Sequence, residues 1–301
     1  MSGVEASNDE VCASCGKAAV DNIKLKNCTA CKLVKYCGVE CQKNHRPHHK
    51  KACKKRAAEI RDDNLFTQPE ISCFGECPIC CLPLSIDKSK TVMKSCCSKL
   101  ICRGCSHANI VREIKHGLEH RCPYCREPSL KTEEEGNRSI MERAKANDPV
   151  ALCKMGKYSY DKEDYEGAFE YWTKAAGLGE IDAHYDLSLL YAEGKGVDRD
   201  LKKKIYHLEE AAIGGHPEAR FNLGNHEGRN GRFDRMVKHY IIAANLGLDG
   251  ALEMVKMHFA KGLASKEDFE AALRGHQAAV DATKSAQRDE AEAFHAQNNH
   301  L

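Results

Sequence analysis

The sequence predicts two small metal-stabilised α+β domains followed by an all-α solenoid. Fifteen of the eighteen cysteines fall into two consecutive blocks of spaced pairs before residue 126. From about residue 147 onward, a helical pattern rich in alanine, leucine and tyrosine recurs at steps of 32 to 36 residues. A chain of 301 residues divided in this way is expected to hold two or three domains rather than one core.

Composition argues against several other classes of protein. Dense cysteines could form a disulfide framework, but that requires a secretory context, and residues 1–11 lack the apolar segment of a signal peptide. No apolar run approaches the roughly 18 residues of a membrane span. We therefore expect an intracellular chain, cytoplasmic or nuclear, with no membrane partner. The net charge of +2 makes nucleic-acid binding a distant third hypothesis, and the basic stretch 43–56 is interpreted as a solvated helix face.

The first cysteine block predicts two closed zinc sites. A Cys-x2-Cys turn places two sulfurs about one tetrahedral edge apart, so each pair supplies half of a site. The pairs are Cys12 and Cys15, Cys28 and Cys31, Cys37 and Cys41, and His49 and Cys53. Only His49 has the spacing that places it one helical turn from Cys53, so His45 and His48 are predicted to be surface residues.

Residues 12–53 resemble a MYND-type zinc finger through the stretch from Tyr36 to Gln42 (YCGVECQ) and the following HKKAC at 49–53. The resemblance implies interleaved ligation of two ions: one is held by Cys12, Cys15, Cys37 and Cys41, and the other by Cys28, Cys31, His49 and Cys53. Interleaving makes physical sense, because forty-odd residues bury too little surface for a stable core and metal binding would supply the folding free energy. The family binds short proline-containing peptides, but Arg46-Pro47 stands where it commonly carries a tryptophan before the proline.

Residues 73–128 resemble a RING finger, in which ligand pairs alternate between two ions in a cross-brace. The resemblance implies one site formed by Cys77, Cys80, Cys102 and Cys105, and a second formed by Cys96, Cys97, Cys122 and Cys125. Lys99 stands where the family usually has a histidine ligand. An alternative second site therefore combines Cys97 with His120 or His107. With both blocks loaded, four zinc ions are expected.

The RING resemblance also implies a role, since these fingers bind a ubiquitin-conjugating enzyme and hold its ubiquitin thioester in a reactive pose without a catalytic side chain. Ile79 occupies the position of an apolar contact with that enzyme, and Arg126 the position of a cation that clamps ubiquitin. The alternative interpretations are that Ile79 packs the zinc knuckle and that Arg126 is a surface cation. Among the other cysteines, Cys73 and Cys81 are interpreted as spare or misregistered ligands and Cys153 as a small core residue.

Residues 147–282 resemble a Sel1-like repeat array, related to tetratricopeptide repeats. Alanines recur at 151, 183, 219 and 251, alanine pairs recur at 175, 211 and 243, and glycine follows each pair. Residues 183–191 (AHYDLSLLY) and 219–224 (ARFNLG) carry the resemblance most clearly, and a fourth unit from Asp249 is expected to be a terminal cap. The family implies a scaffold that binds protein partners or substrates.

The remaining segments are predicted to be connections and ends. They are a disordered N-terminus at 1–11, a charged linker at 54–72 that could extend the last finger helix, an exposed hinge at 129–146, and a polar tail at 283–301 that is frayed or disordered. The favoured function is a RING-type E3 ubiquitin-protein ligase with a helical-repeat scaffold for its substrates. The alternative is a zinc-stabilised interaction scaffold without ligase activity.

Overall fold

The computed structural model describes residues 11–19 and 24–298. The chain divides into two compact units, with the boundary between Thr67 and Gln68. Apart from Val11, the N-terminal segment predicted to be disordered lies outside the described residues. Within the described part of the chain, no helix is long and apolar enough to cross a membrane.

The described residues of the first unit form a short hairpin and a long helix. Strands β1 (Lys26–Asn27) and β2 (Lys35–Tyr36) pair antiparallel, and α1 spans Val39–Phe66. The buried centre is formed largely by cysteines together with Tyr36. Helix α1 continues through most of the predicted 54–72 linker, because residues 54–63 are mainly lysine, alanine, glutamate and arginine, which favour helix.

The second unit begins with the second cysteine block. Strands β3 (Thr91–Lys94) and β4 (Lys99–Cys102) form an antiparallel hairpin in which Thr91 lies opposite Cys102, and helix α2 follows at Arg103–Lys115. Leu84 and Ile101 are buried beside the cysteines in a small core. The hairpin and α2 therefore hold this block together around its cysteine side chains.

The segment 129–146, predicted to be a hinge, instead contains helix α3 (Glu133–Lys145). Thr132 and Glu135 form a capping box, and the acidic first turn of α3 complements the positive end of the helix dipole. Ile140 and Ala144 are buried in the same core as α4 and α5. The acidic residues 133–135 therefore begin a packed helix and are not part of an exposed hinge.

The all-α solenoid predicted from the alanine repeat is present as four antiparallel helix pairs. The alanines at 151, 183, 219 and 251 are all completely buried, as their regular spacing predicts. The paired helices are α4 (Pro149–Asp161) and α5 (Tyr165–Gly177), α6 (Ile181–Glu193) and α7 (Leu201–Ile213), α8 (Pro217–Arg229) and α9 (Phe233–Asn245), and α10 (Asp249–Ala260) and α11 (Lys266–Ala282).

A left-handed residue separates each unit of the solenoid from the next. Gly179, Gly215 and Gly247 have φ of 91°, 85° and 96°, and Asn147 occupies the equivalent position after α3 with φ of 60°. Asparagine is one of the few side chains that adopts this conformation readily. Helix α3 therefore corresponds to the second helix of an incomplete unit and closes the N-terminal end of the solenoid.

The predicted polar tail at 283–301 is also a helix over most of its length. Helix α12 (Ala286–Asn298) packs against α2, with Ala291 fully buried and the ring centroid of Phe294 4.7 Å from that of His107. Arg288 Nη1 donates hydrogen bonds to the carbonyl oxygens of Pro83 and Thr283, at 2.7 Å each. Residues 299–301 lie outside the described residues.

Candidate metal centres and protein-binding surfaces

In the first unit, the eight predicted ligands form two separate clusters. Each cluster brings four potential ligand atoms within 4.8 Å of one another: Cys12, Cys15, Cys37 and Cys41 in one, and Cys28, Cys31, His49 and Cys53 in the other. His49 lies on α1 one turn before Cys53, and its Nε2 is 3.1 Å from Cys31 Sγ. The pairs alternate between the clusters along the chain, which is the interleaving that the MYND resemblance implies.

Distances between the sulfur atoms fit a tetrahedral zinc ion. Zn–S bonds of about 2.3 Å require sulfurs about 3.8 Å apart along a tetrahedral edge. The Sγ–Sγ distances are 3.6 Å for Cys15–Cys37, 3.5 Å for Cys37–Cys41 and 3.8 Å for Cys28–Cys53. A disulfide would require about 2.05 Å, and all eighteen cysteines are free thiols. The donor set therefore suits zinc, which these residues would hold in closed sites that contribute to folding.

The second block repeats this arrangement with cysteine ligands throughout. Cys77, Cys80, Cys102 and Cys105 form one cluster, and Cys96, Cys97, Cys122 and Cys125 form the other. Sγ–Sγ distances are 3.8 Å for Cys80–Cys102, 4.0 Å for Cys97–Cys122 and 3.4 Å for Cys96–Cys125. Along the chain, the first and third cysteine pairs share one cluster, and the second and fourth pairs share the other. This alternation of pairs is the arrangement of a cross-brace.

Neither histidine of the alternative second site is brought into it. His120 Nδ1 lies 2.9 Å from Glu113 Oε2, and Glu113 is buried. The ring of His107 contacts Phe294 of α12. The adjacent residues Cys96 and Cys97 thus both point to the cluster, and this geometry does not support the alternative with His120 or His107.

Four of the cysteine pairs have the same backbone turn. The residue after each pair has positive φ: Gly16 at 73°, Lys32 at 55°, Cys81 at 55° and Arg126 at 66°. Its backbone N–H donates to the carbonyl of the first cysteine of the pair, over 2.8 to 3.0 Å. This turn aims both sulfurs of a pair at the same point, so the predicted half-sites are formed by local backbone geometry.

Backbone amides also favour the thiolate form that binds metal. In the first cluster of the second block, a hydrogen bond from the Cys102 thiol lowers the pKa of Cys77 to about 4, against the opposing effect of burial, with help from the backbone N–H of Cys102. In the other cluster, burial tends to raise the pKa of Cys122, but the N–H groups of Cys125 and Tyr124 lower it to about 7. Each cluster therefore contains one thiol prepared for deprotonation.

His45 supports the histidine ligand rather than lying free on the surface. Its Nδ1 is 3.0 Å from the hydroxyl of the buried Tyr36, and its ring stacks on His49 with centroids 5.5 Å apart. The prediction that His45 is a surface residue was wrong, because the helical i,i+4 spacing places it directly against His49. His48 is exposed, as predicted, and so are most lysines of the basic stretch 43–56.

The two residues predicted to contact the ubiquitin machinery lie outside the metal clusters. Ile79 is 40% exposed, in the turn between Cys77 and Cys80. The Arg126 side chain is also exposed, next to the Cys122–Cys125 turn. Both side chains are therefore accessible to a partner without disturbing the ligands.

The solenoid has an open groove along α5 with a volume of about 790 Å³. Apolar and polar side chains share its lining. They include Phe169, Glu170, Tyr171, Thr173, Lys174 and Leu178. Leu178 is 50% exposed, so this groove offers apolar surface to a partner.

Comparison with known proteins agrees with two of the three predicted regions. The family model of the MYND finger matches residues 12–53, the same bounds as predicted. The model of the Sel1 repeat matches residues 149–180 and 181–216. The RING assignment of the second block stays a prediction that rests on its geometry.

The similar proteins each align with only part of this chain. The protein "Putative beta-lactamase HcpC" of Helicobacter pylori is 39% identical over 56 residues, so the match spans 19% of this chain and 19% of that protein. A Sel1 repeat protein from Oxalobacter formigenes aligns with a TM-score of 0.45 and 25% identity over 60% of this chain and 73% of its own. A protective antigen of uropathogenic Escherichia coli with an SLR fold aligns with a TM-score of 0.42 and 16% identity. This alignment covers 59% of this chain and 37% of that protein.

The two family matches cover separate regions of the chain. A MYND finger implies zinc, and the eight residues of the first unit form two clusters suited to it. The Sel1 repeat match agrees with the helix pairs of the solenoid. The chain therefore combines a MYND finger suited to zinc with Sel1 repeats.

Proposed function

We propose that the chain is a RING-type E3 ubiquitin-protein ligase whose solenoid selects the substrate. The observation that carries the proposal is the alternation of the second block's four cysteine pairs between two clusters. This arrangement is the one implied by the RING resemblance. In this proposal, the two clusters of the second block hold two zinc ions, and the clusters of both blocks together hold four.

Ile79 and Arg126 have separate roles in this proposal. Ile79, exposed at the tip of the first turn, contributes apolar contact area to the ubiquitin-conjugating enzyme. Arg126 holds ubiquitin against that enzyme by hydrogen bonds, which keeps the thioester open to attack. The solenoid groove along α5 and the MYND finger provide surfaces for the substrate, with short proline-containing peptides as the ligands of the finger.

Discharge of ubiquitin from a preloaded conjugating enzyme tests the proposal. The full-length protein should accelerate discharge to free lysine with at least one enzyme of a representative panel. Ile79→Ala should weaken enzyme binding by on the order of 1–3 kcal/mol. Arg126→Gly should slow discharge with little effect on binding. Glycine suits the left-handed backbone at this position, so the variant removes the guanidinium without adding strain.

Matched controls separate these roles from folding. Leu201→Ala removes an exposed apolar side chain from α7, 56% exposed, and should leave both binding and discharge unchanged. Arg126→Lys keeps the positive charge and should retain part of the discharge activity. Wild-type discharge that neither Ile79→Ala nor Arg126→Gly reduces would contradict the two assigned roles.

The second candidate function is a scaffold without ligase activity, and the position of α12 favours it. Arg288 of α12 donates to Cys80 Sγ at 3.4 Å and to the Leu82 carbonyl at 3.2 Å, immediately beyond Ile79 in the chain. A helix packed this close restricts the space for a conjugating enzyme. Absence of discharge with every enzyme in the panel, by protein with full zinc content, would establish this candidate over the ligase.

A further inference from the structure

A further cluster of potential metal ligands lies where the start of the second block contacts the solenoid. Cys73 is in the loop that leads into the block, Asp182 is in the first turn of α6, and His216 precedes α8. Potential ligand atoms of the three residues lie within 4.8 Å of one another. Asp182 Oδ1 is 3.5 Å from Cys73 Sγ and 3.5 Å from His216 Nε2.

The surrounding backbone and rings hold this cluster in position. The N–H of Cys73 donates to the Gly215 carbonyl at 3.1 Å, which ties the loop to the turn before α8. His216 is 2% exposed, and its ring stacks on Tyr185 with centroids 4.2 Å apart. The imidazole therefore has little freedom to turn away from Asp182.

The charges of the cluster favour a cation. Burial first, and then the carboxylate of Asp182, raise the pKa of the Cys73 thiol, so this cysteine is not activated as a nucleophile. Glu180 and Glu218 add further negative potential at Cys73, whereas Lys88 is the cation that acts on His216. A divalent ion would compensate these carboxylates and stabilise the thiolate directly.

A nearby carboxylate oxygen has no hydrogen-bond donor. The His216 Nδ1 accepts from the Ala219 N–H at 3.3 Å, which leaves Glu218 Oε2, 3.3 Å from the same nitrogen, buried without a donor. If Nε2 bound a metal ion, the ring proton would move to Nδ1, which would stop accepting from the Ala219 N–H and donate to Glu218 instead. A carboxylate in that position is the usual partner of a metal-bound histidine.

We propose that Cys73, Asp182 and His216 form a further zinc site, with Glu218 orienting the histidine from behind. The ligand types are those zinc accepts, and three protein ligands leave a fourth position for water. Such a site would link the loop before the second block to two successive units of the solenoid, because α6 and α8 begin neighbouring units. The proposal is independent of the ligase function, since it requires neither Ile79 nor Arg126.

Zinc content of the full-length protein tests the proposal through a difference between variants. After saturation with zinc and removal of unbound metal, Asp182→Asn, Cys73→Ser and His216→Asn should each hold one zinc fewer than wild type. Asparagine can accept from the Ala219 N–H as an N-cap residue, so His216→Asn removes the ligand and leaves the start of α8 capped. Cys153→Ala, which removes a thiol outside the cluster, should keep the wild-type content.

Cobalt substitution gives a second measurement that does not depend on the total number of ions. The visible absorption spectrum of cobalt-loaded Asp182→Asn is subtracted from that of cobalt-loaded wild type. The difference should be the spectrum of one cobalt ion with a single thiolate ligand, which is distinct from the spectrum of a four-cysteine site. Circular dichroism of each variant should match wild type, since the ligands of the two cysteine blocks are untouched. Equal zinc content in wild type, Cys73→Ser and His216→Asn, or a difference spectrum without a cobalt contribution, would overturn the proposal.

Discussion

At the scale of single residues, local spacing predicted the metal clusters because each half-site is formed within a few residues. The pair Cys96 and Cys97 was the least regular, since adjacent cysteines need unusual backbone to reach one ion. The structure provides it in the turn between β3 and β4, where Ser98 has φ of 54° and accepts a 2.7 Å hydrogen bond from Arg143 Nε. Arg143 lies on α3, so no pattern near the cysteines could have indicated this support.

Changing Cys97 to serine should remove one zinc ion and loosen the second half of the block. The hydroxyl is a much weaker zinc ligand than a thiolate, and Cys97 Sγ lies 4.0 Å from Cys122 Sγ in its cluster. Elemental analysis and thermal unfolding measure the effect. Cys81→Ser is the control, because Cys81 is exposed and outside the clusters. Retention of all zinc by Cys97→Ser, with loss in His120→Ala, would restore the histidine alternative.

A histidine pair between α6 and α7 predicts pH-dependent stability. The Nδ1 atoms of His184 and His207 are 3.0 Å apart, so one ring donates and the other accepts. Burial first, and then the charge of His184, lower the pKa of His207 to about 4, below its ordinary value of 6.5. The unfolded chain therefore binds this proton more readily, and stability present above pH 6.5 is lost as the pH falls towards 4.

The test compares the pH profiles of unfolding of wild type and His207→Gln. Glutamine cannot titrate, so the variant should lose less stability than wild type between pH 6.5 and pH 4, measured by thermal unfolding of the helical signal. Comparing the two profiles cancels effects shared by both proteins, such as acid release of zinc. Parallel profiles over this range would show that the pair does not contribute.

At the scale of elements, the solenoid could be predicted because its small residues recur at the same position in successive repeat units. Gly156, Ser188 and Gly224 follow one another at the repeat spacing, and the two glycines face bulky residues of the paired helix. A Cβ on Gly156 would lie 2.5 Å from Trp172 Cδ1, and one on Gly224 would lie 2.6 Å from Tyr240 Cε1. These positions allow the two helices of a pair to approach closely.

Replacing Gly224 with alanine should destabilise the solenoid by about 1–3 kcal/mol, the usual cost of overpacking. Tyr240 cannot easily move aside, because it is buried and its hydroxyl donates to Asn225 Oδ1 at 2.8 Å. Urea denaturation followed by circular dichroism measures the loss. Gly250→Ala is the matched control in α10, where the added Cβ meets nothing within 4 Å, and should be neutral or slightly stabilising.

Helices α3 and α12 were harder to predict than the repeats, for a common physical reason. Each is polar, and each is stabilised by packing against other elements. Ile140 of α3 packs into the core of the first repeat, and Ala291 of α12 is buried where the helix packs against α2. Few apolar residues stand between the charged ones, so the first segment was predicted to be a hinge and the second a polar tail.

At the scale of the whole molecule, the described residues from Gln68 onward form one compact unit rather than a cysteine domain joined to a solenoid by a hinge. Met93 of β3 packs against the core of the first repeat, and Ser139 of α3 donates to the Ser95 carbonyl at 3.1 Å. Arg288 connects α12 to the other side of the same block. The second cysteine block is therefore fixed to both ends of the solenoid.

This architecture predicts which helices depend on zinc. The first repeat's core and the α8–α11 core contain no cysteine ligand of the two blocks, so α3–α11 should stay folded when a chelator removes the metal. Helices α1 and α2 carry ligands, and α12 packs on α2, so these three should lose protection. Hydrogen exchange resolved by peptide, with helical circular dichroism, measures this division, and chelator presaturated with zinc is the control. Loss of protection in α8 and α9 together with α2 would contradict it and show that the apolar core of the repeats depends on the metal domains.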